Sequence, residues 1–170
     1  MSNILSLFKP IRVLVFDVDG VMTDGSLSLE ENGDQVRRMH IRDGYALQLA
    51  VRKGYRVMVL SGGRSAGVIS RLHYLGVQEV YMGVGDKGTM LSGYLHDHSI
   101  DPPSMLYMGD DVPDILPLKL AGLSTCPADA VPEVKAICQY ISPFKGGAGC
   151  VRDVIEKVLR LNGHWVGDTR

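Results

Sequence analysis

Residues 13–25 read Val-Leu-Val-Phe-Asp-Val-Asp-Gly-Val-Met-Thr-Asp-Gly, and this stretch decides how the rest of the chain is interpreted. The continuous apolar run from Val13 to Phe16 is typical of a short strand that is buried on both faces. Asp17 and Asp19 follow it, and because alternate residues of an extended backbone point the same way, both carboxylates are expected to face one spot. Two close carboxylates repel each other unless a cation neutralises them. The stretch therefore predicts either a polar strand end or a cation-binding site.

The composition restricts the class of protein. A chain of 170 residues suits one domain with a substantial core, and 18 basic against 19 acidic residues, without a basic run, argue against nucleic acid as a partner. Residues 1–10 are too short and too interrupted for a signal peptide, and no apolar stretch reaches membrane-spanning length. The separated Cys126, Cys138 and Cys150 are typical of reduced thiols. We therefore expect a single domain over residues 1–170 that is cytoplasmic and contacts no membrane.

Strand-like and helix-like segments alternate along the rest of the chain. Between the first strand and the first helix, residues 26–41 form a predicted β-hairpin with its turn at Asn32-Gly33. The further strands are predicted over 55–60, 77–82, 105–108, 123–126 and 140–141, with helices between them, a last helix over 151–161 and a mobile tail over about 162–170. This order predicts an α/β fold, a Rossmann-like three-layer sandwich with a mostly parallel sheet and a hairpin insertion.

Polar residues stand where the predicted strands end. Asp17 and Asp19 follow the first strand, Ser61 follows the second, and Asp110 follows the strand over 105–108. Lys87 begins the helix after the third strand of the sheet. In open parallel sheets ligands bind beyond the carboxyl ends of the strands, so these groups are expected to converge on one site.

Phosphoryl transfer is the chemistry that this set of groups favours. Several acids in one place need a hard divalent cation, and carboxylate oxygens with water suit Mg²⁺. One carboxylate can attack phosphorus and a second can act as general acid and base. A lysine, a hydroxyl and backbone N–H groups can stabilise the charge on the transferred group. Each feature alone has a plainer interpretation, as a turn or a solvated lysine, and the prediction rests on their conjunction.

Four segments resemble the motifs of the haloacid dehalogenase superfamily of phosphatases: Asp17-Val18-Asp19-Gly20-Val21, Ser61-Gly62, Lys87, and residues 109–114, Gly-Asp-Asp-Val-Pro-Asp. The resemblance implies that Asp17 is the nucleophile and Asp19 the general acid and base, while Ser61 and Lys87 hold the phosphoryl group. It also implies a Mg²⁺ site formed by Asp17, Asp19 and Asp110, with Asp111 and Asp114 either contacting the metal or orienting its ligands and Lys87.

The spacing of these motifs leaves no room for a cap domain. Capless members with a hairpin in the first slot resemble the phosphatases of 3-deoxy-D-manno-octulosonate 8-phosphate (KDO 8-phosphate) in lipopolysaccharide biosynthesis. The segment His40-Ile41-Arg42-Asp43-Gly44-Tyr45 and the loop over 146–149 are similar to that family in particular. Its members assemble as tetramers whose neighbouring chains cover each other's sites. The resemblance implies a homotetramer and the following substrate contacts: His40, Arg42, Asp43, Gly44, Gly62, Arg64 and Arg71.

The second motif departs from the family, and other functions stay open. Where that motif often reads Thr/Ser-Gly-Arg, this chain has Ser61-Gly62-Gly63-Arg64, which shifts the guanidinium by one position. Arg64 could still reach a sugar carboxylate, because a long side chain allows different approaches. Similar capless enzymes act on nine-carbon keto-sugar 9-phosphates. A receiver-type signalling module or a phosphatase-like oligomerisation domain are the remaining alternatives, although neither needs the full set of motifs.

Overall fold

Six parallel strands form the central sheet of the computed structural model, which describes residues 3–165. The six strands are β1 (Val13–Phe16), β4 (Arg56–Leu60), β5 (Glu79–Tyr81), β6 (Met105–Met108), β7 (Leu123–Cys126) and β8 (Tyr140–Ile141). Their order across the sheet is β5-β4-β1-β6-β7-β8, so β1 lies in the middle between β4 and β6. The predicted parallel sheet is confirmed, and all four residues of β1 are buried as the apolar run indicated.

Helices cover both faces of the sheet. They are α1 (Ile41–Arg52), α2 (Ala66–Tyr74), α3 (Lys87–Asp97), α4 (Ile115–Leu120), α5 (Pro132–Lys135) and α6 (Cys150–Leu161). Leu14 and Phe16 pack into one apolar cluster with residues of α1, α2 and α6, whereas Val13 and Val15 pack into a second cluster with residues of α3, α4 and α5. This alternation along β1 produces the predicted three-layer sandwich, with a core on each face of the sheet.

The hairpin insertion is present but shorter than the sequence pattern predicted. Its strands are β2 (Ser28–Leu29) and β3 (Gln35–Val36), paired antiparallel around Gly33, whose positive φ of 90° suits the turn. The predicted second arm extended to Ile41, but Ile41 is already the first residue of α1. Both hairpin strands are exposed, so this element contributes little to the core of its own chain.

The beginning of the predicted tail is packed against the domain. The Tyr55 hydroxyl lies 2.9 Å from Nδ1 of His164. The Trp165 ring meets the Tyr45 ring edge to face and lies 5.0 Å from the guanidinium carbon of Arg152. Residues 166–170, the rest of the tail predicted over 162–170, lie outside the described residues. Within residues 3–165, no helix is both long enough and apolar enough to cross a membrane.

Candidate active site

The polar residues at the strand ends do converge on one cavity. It has a volume of about 490 Å³ and lies at the carboxyl edge of the sheet, beyond β1, β4 and β6. Its lining includes Asp17, Asp19, Ser61, Gly62, Lys87, Asp110, Asp111 and Asp114. The position agrees with the rule that ligands of parallel α/β sheets bind beyond the strand ends.

Lys87 is the centre of a buried ionic network in this cavity. Its Nζ lies 2.8 Å from Oδ2 of Asp17 and 2.8 Å from Oδ1 of Asp114. Lys87 is the first residue of α3, and the N-cap Asp86 fixes this end of the helix by accepting the N–H of Thr89. The lysine is therefore a fixed, buried cation and differs from the solvated lysine of the plainer interpretation.

Asp114 is held from several sides. Tyr107, on β6, donates its hydroxyl to Oδ1 of Asp114 at 2.6 Å, while the backbone N–H of Asp110 donates to Oδ2 at 3.1 Å. At Gly109 a Cβ atom would lie 2.4 Å from Cβ of Asp114, so only glycine allows this close approach. Sequence reasoning missed Tyr107, because a tyrosine inside an apolar strand has the pattern of an ordinary core residue.

Burial and mutual repulsion change the protonation behaviour of the acids. Burial, followed by the charge of Asp114, raises the pKa of Asp17 to about 6 even though Lys87 opposes the shift. Burial and the charges of Asp17, Asp114 and Asp111 raise the pKa of Asp110 to about 7. Burial acts to lower the pKa of Lys87, but the two acids that it contacts outweigh this and raise it. The cavity therefore holds more negative charge than its single lysine neutralises.

The donor set fits a divalent cation. Asp17, Asp110 and Asp114 each offer an oxygen within 4.8 Å of the other two. The Oδ1 atom of Asp110 is buried and has no hydrogen-bond partner among the described residues, whereas both oxygens of Asp114 are already engaged. A Cβ at Gly20, where φ is 81°, would lie 1.9 Å from Oδ2 of Asp110, so the loop after β1 closes directly on that carboxylate. Asp17 and Asp110 are thus the acids best placed for the cation.

Ser61 and the loop that follows it form another wall of the cavity. Ser61 is buried, and its Oγ accepts the backbone N–H of Gly63 at 3.2 Å. Its backbone N–H donates to the carbonyl of Tyr81, and its carbonyl accepts from Val84, which ties the end of β4 to the loop after β5. This wall brings a hydroxyl and glycine backbone to the cavity, as the sequence predicted.

Asp19 is engaged by a residue that sequence reasoning missed. Nε of Arg37 lies 2.6 Å from Oδ1 of Asp19, and Nη2 lies 3.1 Å from Oδ2, so the guanidinium binds the carboxylate with two contacts. Asp19 is also absent from the group of acids whose oxygens lie together. Its assignment as a metal ligand stays a prediction. No sequence signal distinguished Arg37 from the other charges of the hairpin.

Arg64 and Arg71 line a larger neighbouring cavity of about 1000 Å³. This second cavity, the outer cavity, lies between the hairpin and the segment 62–71. It shares Gly62 and Gly63 with the cavity that holds Asp17, Lys87 and Asp110, which is named the catalytic cavity. The guanidinium of Arg71 lies 5.8 Å from the centre of the Tyr74 ring. The structure therefore brings these two predicted substrate contacts beside the catalytic cavity and not into it.

The other predicted substrate contacts lie in other places. His40 and Arg42 line a separate cavity of about 500 Å³ together with residues of α6. Asp43 is buried, and its Oδ1 accepts the N–H of Arg152 at 2.9 Å, which joins α1 to α6. Gly44 lies against Arg71, since a Cβ there would be 2.9 Å from Nη2 of that arginine. Within one chain, these residues do not line the catalytic cavity.

The glycine loop over 146–149 supports the segment that carries the first acids. A Cβ at Gly146 would lie 1.9 Å from the carbonyl oxygen of Gly20, and the N–H of Gly147 donates to the carbonyl of Val21 at 3.0 Å. Side chains at these positions would push the loop after β1 away. The loop therefore acts on the site by fixing the backbone around Gly20.

Comparisons with known proteins agree with this geometry. The haloacid dehalogenase-like hydrolase family matches residues 73–154. The 3-deoxy-D-manno-octulosonate 8-phosphate phosphatase of Escherichia coli K12 is 32% identical over 162 residues, which cover 95% of this chain and 86% of that one. The same-named enzyme of Yersinia pestis is 33% identical and covers 99% of this chain and 90% of its own.

A solved relative extends the comparison to three dimensions. The crystal structure of 3-deoxy-D-manno-octulosonate 8-phosphate phosphatase from Moraxella catarrhalis, in complex with magnesium ion, phosphate ion and KDO, superposes with a TM-score of 0.92. It is 30% identical in sequence, and the match covers 97% of this chain and 95% of that one. The likeness therefore spans the strands, the hairpin and the loops that build the cavity.

Proposed function

This chain belongs to the KDO 8-phosphate phosphatase family of haloacid dehalogenase-like hydrolases and is a phosphatase. We propose that it hydrolyses KDO 8-phosphate with Mg²⁺ through an aspartyl-phosphate intermediate. The observation that carries the proposal is the pairing of Asp17 with the buried Lys87 beside the unpartnered oxygen of Asp110. Together these groups provide a nucleophile, a fixed cation and an unsatisfied metal ligand in one cavity. A non-catalytic oligomerisation domain would need none of them.

In the proposed reaction, Asp17 attacks the phosphorus and the ester oxygen leaves. Oδ1 of Asp17 accepts the N–H of Val18 at 2.6 Å and Oδ2 contacts Lys87, so the carboxylate is held in one orientation before the substrate arrives. Lys87, the hydroxyl of Ser61 and the backbone N–H groups of the loop at Gly62 are proposed to stabilise the charge on the transferred group. Asp19 is proposed to protonate the leaving alkoxide and then to deprotonate the attacking water.

Asp17 and Asp110 would hold the magnesium ion, with Asp19 as the further ligand that the family resemblance implies. When bound, the ion would neutralise the surplus negative charge of the acids and polarise the phosphoryl oxygens. Asp114 is proposed to orient Lys87 and the loop at Asp110, because its carboxylate accepts hydrogen bonds from Lys87, from Tyr107 and from the backbone N–H groups of that loop. Asp111 is proposed to support the same loop as the N-cap of the turn Val112–Asp114.

The substrate class follows from the charges outside the catalytic cavity. Lys87 is proposed to bind the phosphoryl group, which would leave the arginines of the outer cavity for a second anion, such as the carboxylate of a keto-sugar acid. His40, Arg42, Asp43 and Gly44 are proposed to reach a substrate only across a subunit boundary, in the tetramer that the family resemblance implies. The three cysteines are free thiols, which supports the cytoplasm as the proposed place of action.

Catalytic efficiency on a panel of sugar phosphates tests this proposal. We expect kcat/KM for KDO 8-phosphate to exceed that for glucose 6-phosphate at least about a hundredfold, because each lost charge-assisted contact lowers the efficiency about ten- to a hundredfold. Arg64→Ala or Arg71→Ala should reduce this ratio, whereas Arg38→Ala, an exposed control on the hairpin, should keep it. A nine-carbon keto-sugar 9-phosphate belongs in the panel. If the enzyme prefers this compound to KDO 8-phosphate, the nine-carbon acid is the substrate. Equal efficiencies on acidic and neutral sugar phosphates would refute an acidic substrate altogether.

A further inference from the structure

Arg37 fills the space that a side chain at position 63 would occupy. A Cβ at Gly63 would lie 2.7 Å from Oδ2 of Asp19 and 2.9 Å from Nη2 of Arg37. Both distances are too short for real Cβ contacts, so a side chain at this position would displace the Arg37 guanidinium or the Asp19 carboxylate from their present contact. Where the Thr/Ser-Gly-Arg pattern has an arginine, this chain has Gly63, and the guanidinium of Arg37 from the hairpin lies beside that position.

The two arginines that the sequence favoured for a sugar carboxylate lie against other parts of the backbone. A Cβ at Gly83 would be 2.9 Å from Nε of Arg64, so the Arg64 side chain lies along the loop after β5. The Arg71 guanidinium contacts Gly44 and the Tyr74 ring. Both residues line the outer cavity, but neither lines the catalytic cavity.

Arg37 does stand at that boundary. It lines the outer cavity together with Gly62 and Gly63, and its guanidinium contacts Asp19, which lines the catalytic cavity. Its side chain is only 3% exposed, although it belongs to an otherwise exposed hairpin. A substrate whose phosphate lies in the catalytic cavity and whose other end lies in the outer cavity would have to pass this guanidinium.

We propose that Arg37 selects an acidic substrate together with Arg64 and Arg71 of the outer cavity, by exchanging its contact with Asp19 for a contact with the second anion of the substrate. This inference rests on the proposed function and names the group that would read the substrate's carboxylate. The exchange replaces one carboxylate partner by another, so the buried guanidinium is never left unpaired. A neutral substrate offers no such partner, and Arg37 then stays on Asp19.

The exchange also links recognition to the catalytic group. While Arg37 binds both oxygens of Asp19, it holds the carboxylate in one orientation, and turning the carboxylate toward the leaving group of a substrate would break a contact of this bidentate pair. A substrate with a second anion releases Asp19 by attracting Arg37 away. A small neutral ester has to compete with the ion pair. Removing the guanidinium should therefore slow the acidic substrate and speed the neutral one, which loss of structure alone would not do.

Steady-state kinetics of Arg37→Met and Arg37→Lys on two substrates test this inference. On KDO 8-phosphate we expect Arg37→Met to lower kcat/KM about ten- to a hundredfold, mainly through a higher KM. On p-nitrophenyl phosphate, which carries no second anion, the same variant should raise kcat/KM at least about twofold. Arg37→Lys should lie between the wild type and Arg37→Met on both substrates, since it keeps the charge but loses the fork. Arg38→Met is the matched control and should match the wild type on both.

The two-substrate design separates the inference from the proposed function. If Arg37→Met lowers kcat/KM equally on both substrates, Arg37 only supports the structure. If kcat/KM is unchanged on both, the ion pair with Asp19 has no role in selection. Either result overturns the inference. If the wild type shows no preference for KDO 8-phosphate over glucose 6-phosphate, the proposed function fails instead. The p-nitrophenyl phosphate measurement still decides in that case whether Arg37 holds Asp19 back.

Discussion

The catalytic edge of the sheet and the hairpin that overhangs it are built in opposite ways. At the edge, Lys87 and Tyr107 are buried, and both donate hydrogen bonds to the buried Asp114. On the hairpin, Leu29 is 74% exposed and Val36 is 49% exposed, and apart from Arg37 few side chains reach the domain. The first region is a network of contacts within one chain, whereas the second presents apolar surface that its own chain does not bury.

This difference separates two tasks. Chemistry on a phosphoryl group needs charges that are fixed in place, and a buried network achieves this because each group is held by several partners. Substrate selection needs a surface that closes over the substrate and opens again. Exposed apolar residues next to a cavity mark such a surface, or an interface with a neighbouring chain. Arg37 is the residue through which the hairpin reaches the catalytic edge.

The largest expected effect tests the chemistry of the edge. Asp17→Asn should reduce turnover of any phosphate ester at least about a thousandfold, because the amide cannot form the acyl phosphate. Its melting temperature should stay close to that of the wild type. Asp97→Asn, an exposed control at the end of α3, should keep full activity. Substantial turnover by Asp17→Asn would remove the nucleophile from the proposed mechanism.

The surplus negative charge at the edge should make stability depend on pH and on metal. In the metal-free protein the pKa is about 6 for Asp17 and about 7 for Asp110, both above the ordinary 3.8. The folded chain therefore binds these protons more tightly than the unfolded chain. The resulting stability is fully present below about pH 4 and is lost as the pH rises through 6 to 7.

Urea unfolding at pH 5 and pH 8 checks this dependence. With chelator present, the free energy of unfolding should be lower at pH 8 than at pH 5. We expect this decrease to be larger in the wild type than in Asp110→Asn by at least about 1 kcal/mol. Mg²⁺ should restore stability at pH 8 by mass action, and chelator should abolish activity. Full activity in excess chelator, or the same pH dependence in Asp110→Asn, would show that these carboxyls do not form the proposed cation site.

A smaller effect tests whether the buried network stabilises the fold. Tyr107→Phe removes a hydroxyl that donates to Asp114 at 2.6 Å, and we expect a loss of about 1–3 kcal/mol in the free energy of unfolding. Tyr74→Phe is the matched control, because the Tyr74 side chain is exposed and its loss of a hydroxyl should change stability by less than about 0.5 kcal/mol. Equal stabilities of the two variants would mean that the network positions Asp114 without stabilising the domain.

The smallest effect on the chemistry is expected at the hairpin. Leu29→Glu places a charge on the exposed apolar strand and should reduce the molar mass in light scattering, because an oligomer that buries Leu29 would lose that contact. Hydrolysis of p-nitrophenyl phosphate should change by less than about threefold, since the catalytic edge lies in one chain. Glu30→Gln is the control on the same turn. A wild type that is monomeric at micromolar concentration would contradict the expected tetramer.

The sequence alone determined the fold class and the catalytic edge. Alternating strands and helices predict a parallel sheet, and the rule for ligand sites of such sheets brings Asp17, Ser61, Lys87 and Asp110 together without any coordinates. The structure confirms that convergence, and strands β6, β7 and β8 have the predicted bounds. These features follow from local periodicity and from the ends of strands, which a single sequence records directly.

Only the tertiary structure decided which partners the polar groups have. Arg37 contacts Asp19, which lies 18 positions earlier in the chain. Tyr107 donates a hydrogen bond to Asp114 in addition to packing in the core. His40 and Arg42 line a cavity that is separate from the acids. A sequence pattern gives the direction of a side chain within its own element, but not which group of a distant element meets it. Such contacts depend on how the hairpin, the loops and the sheet pack together in three dimensions.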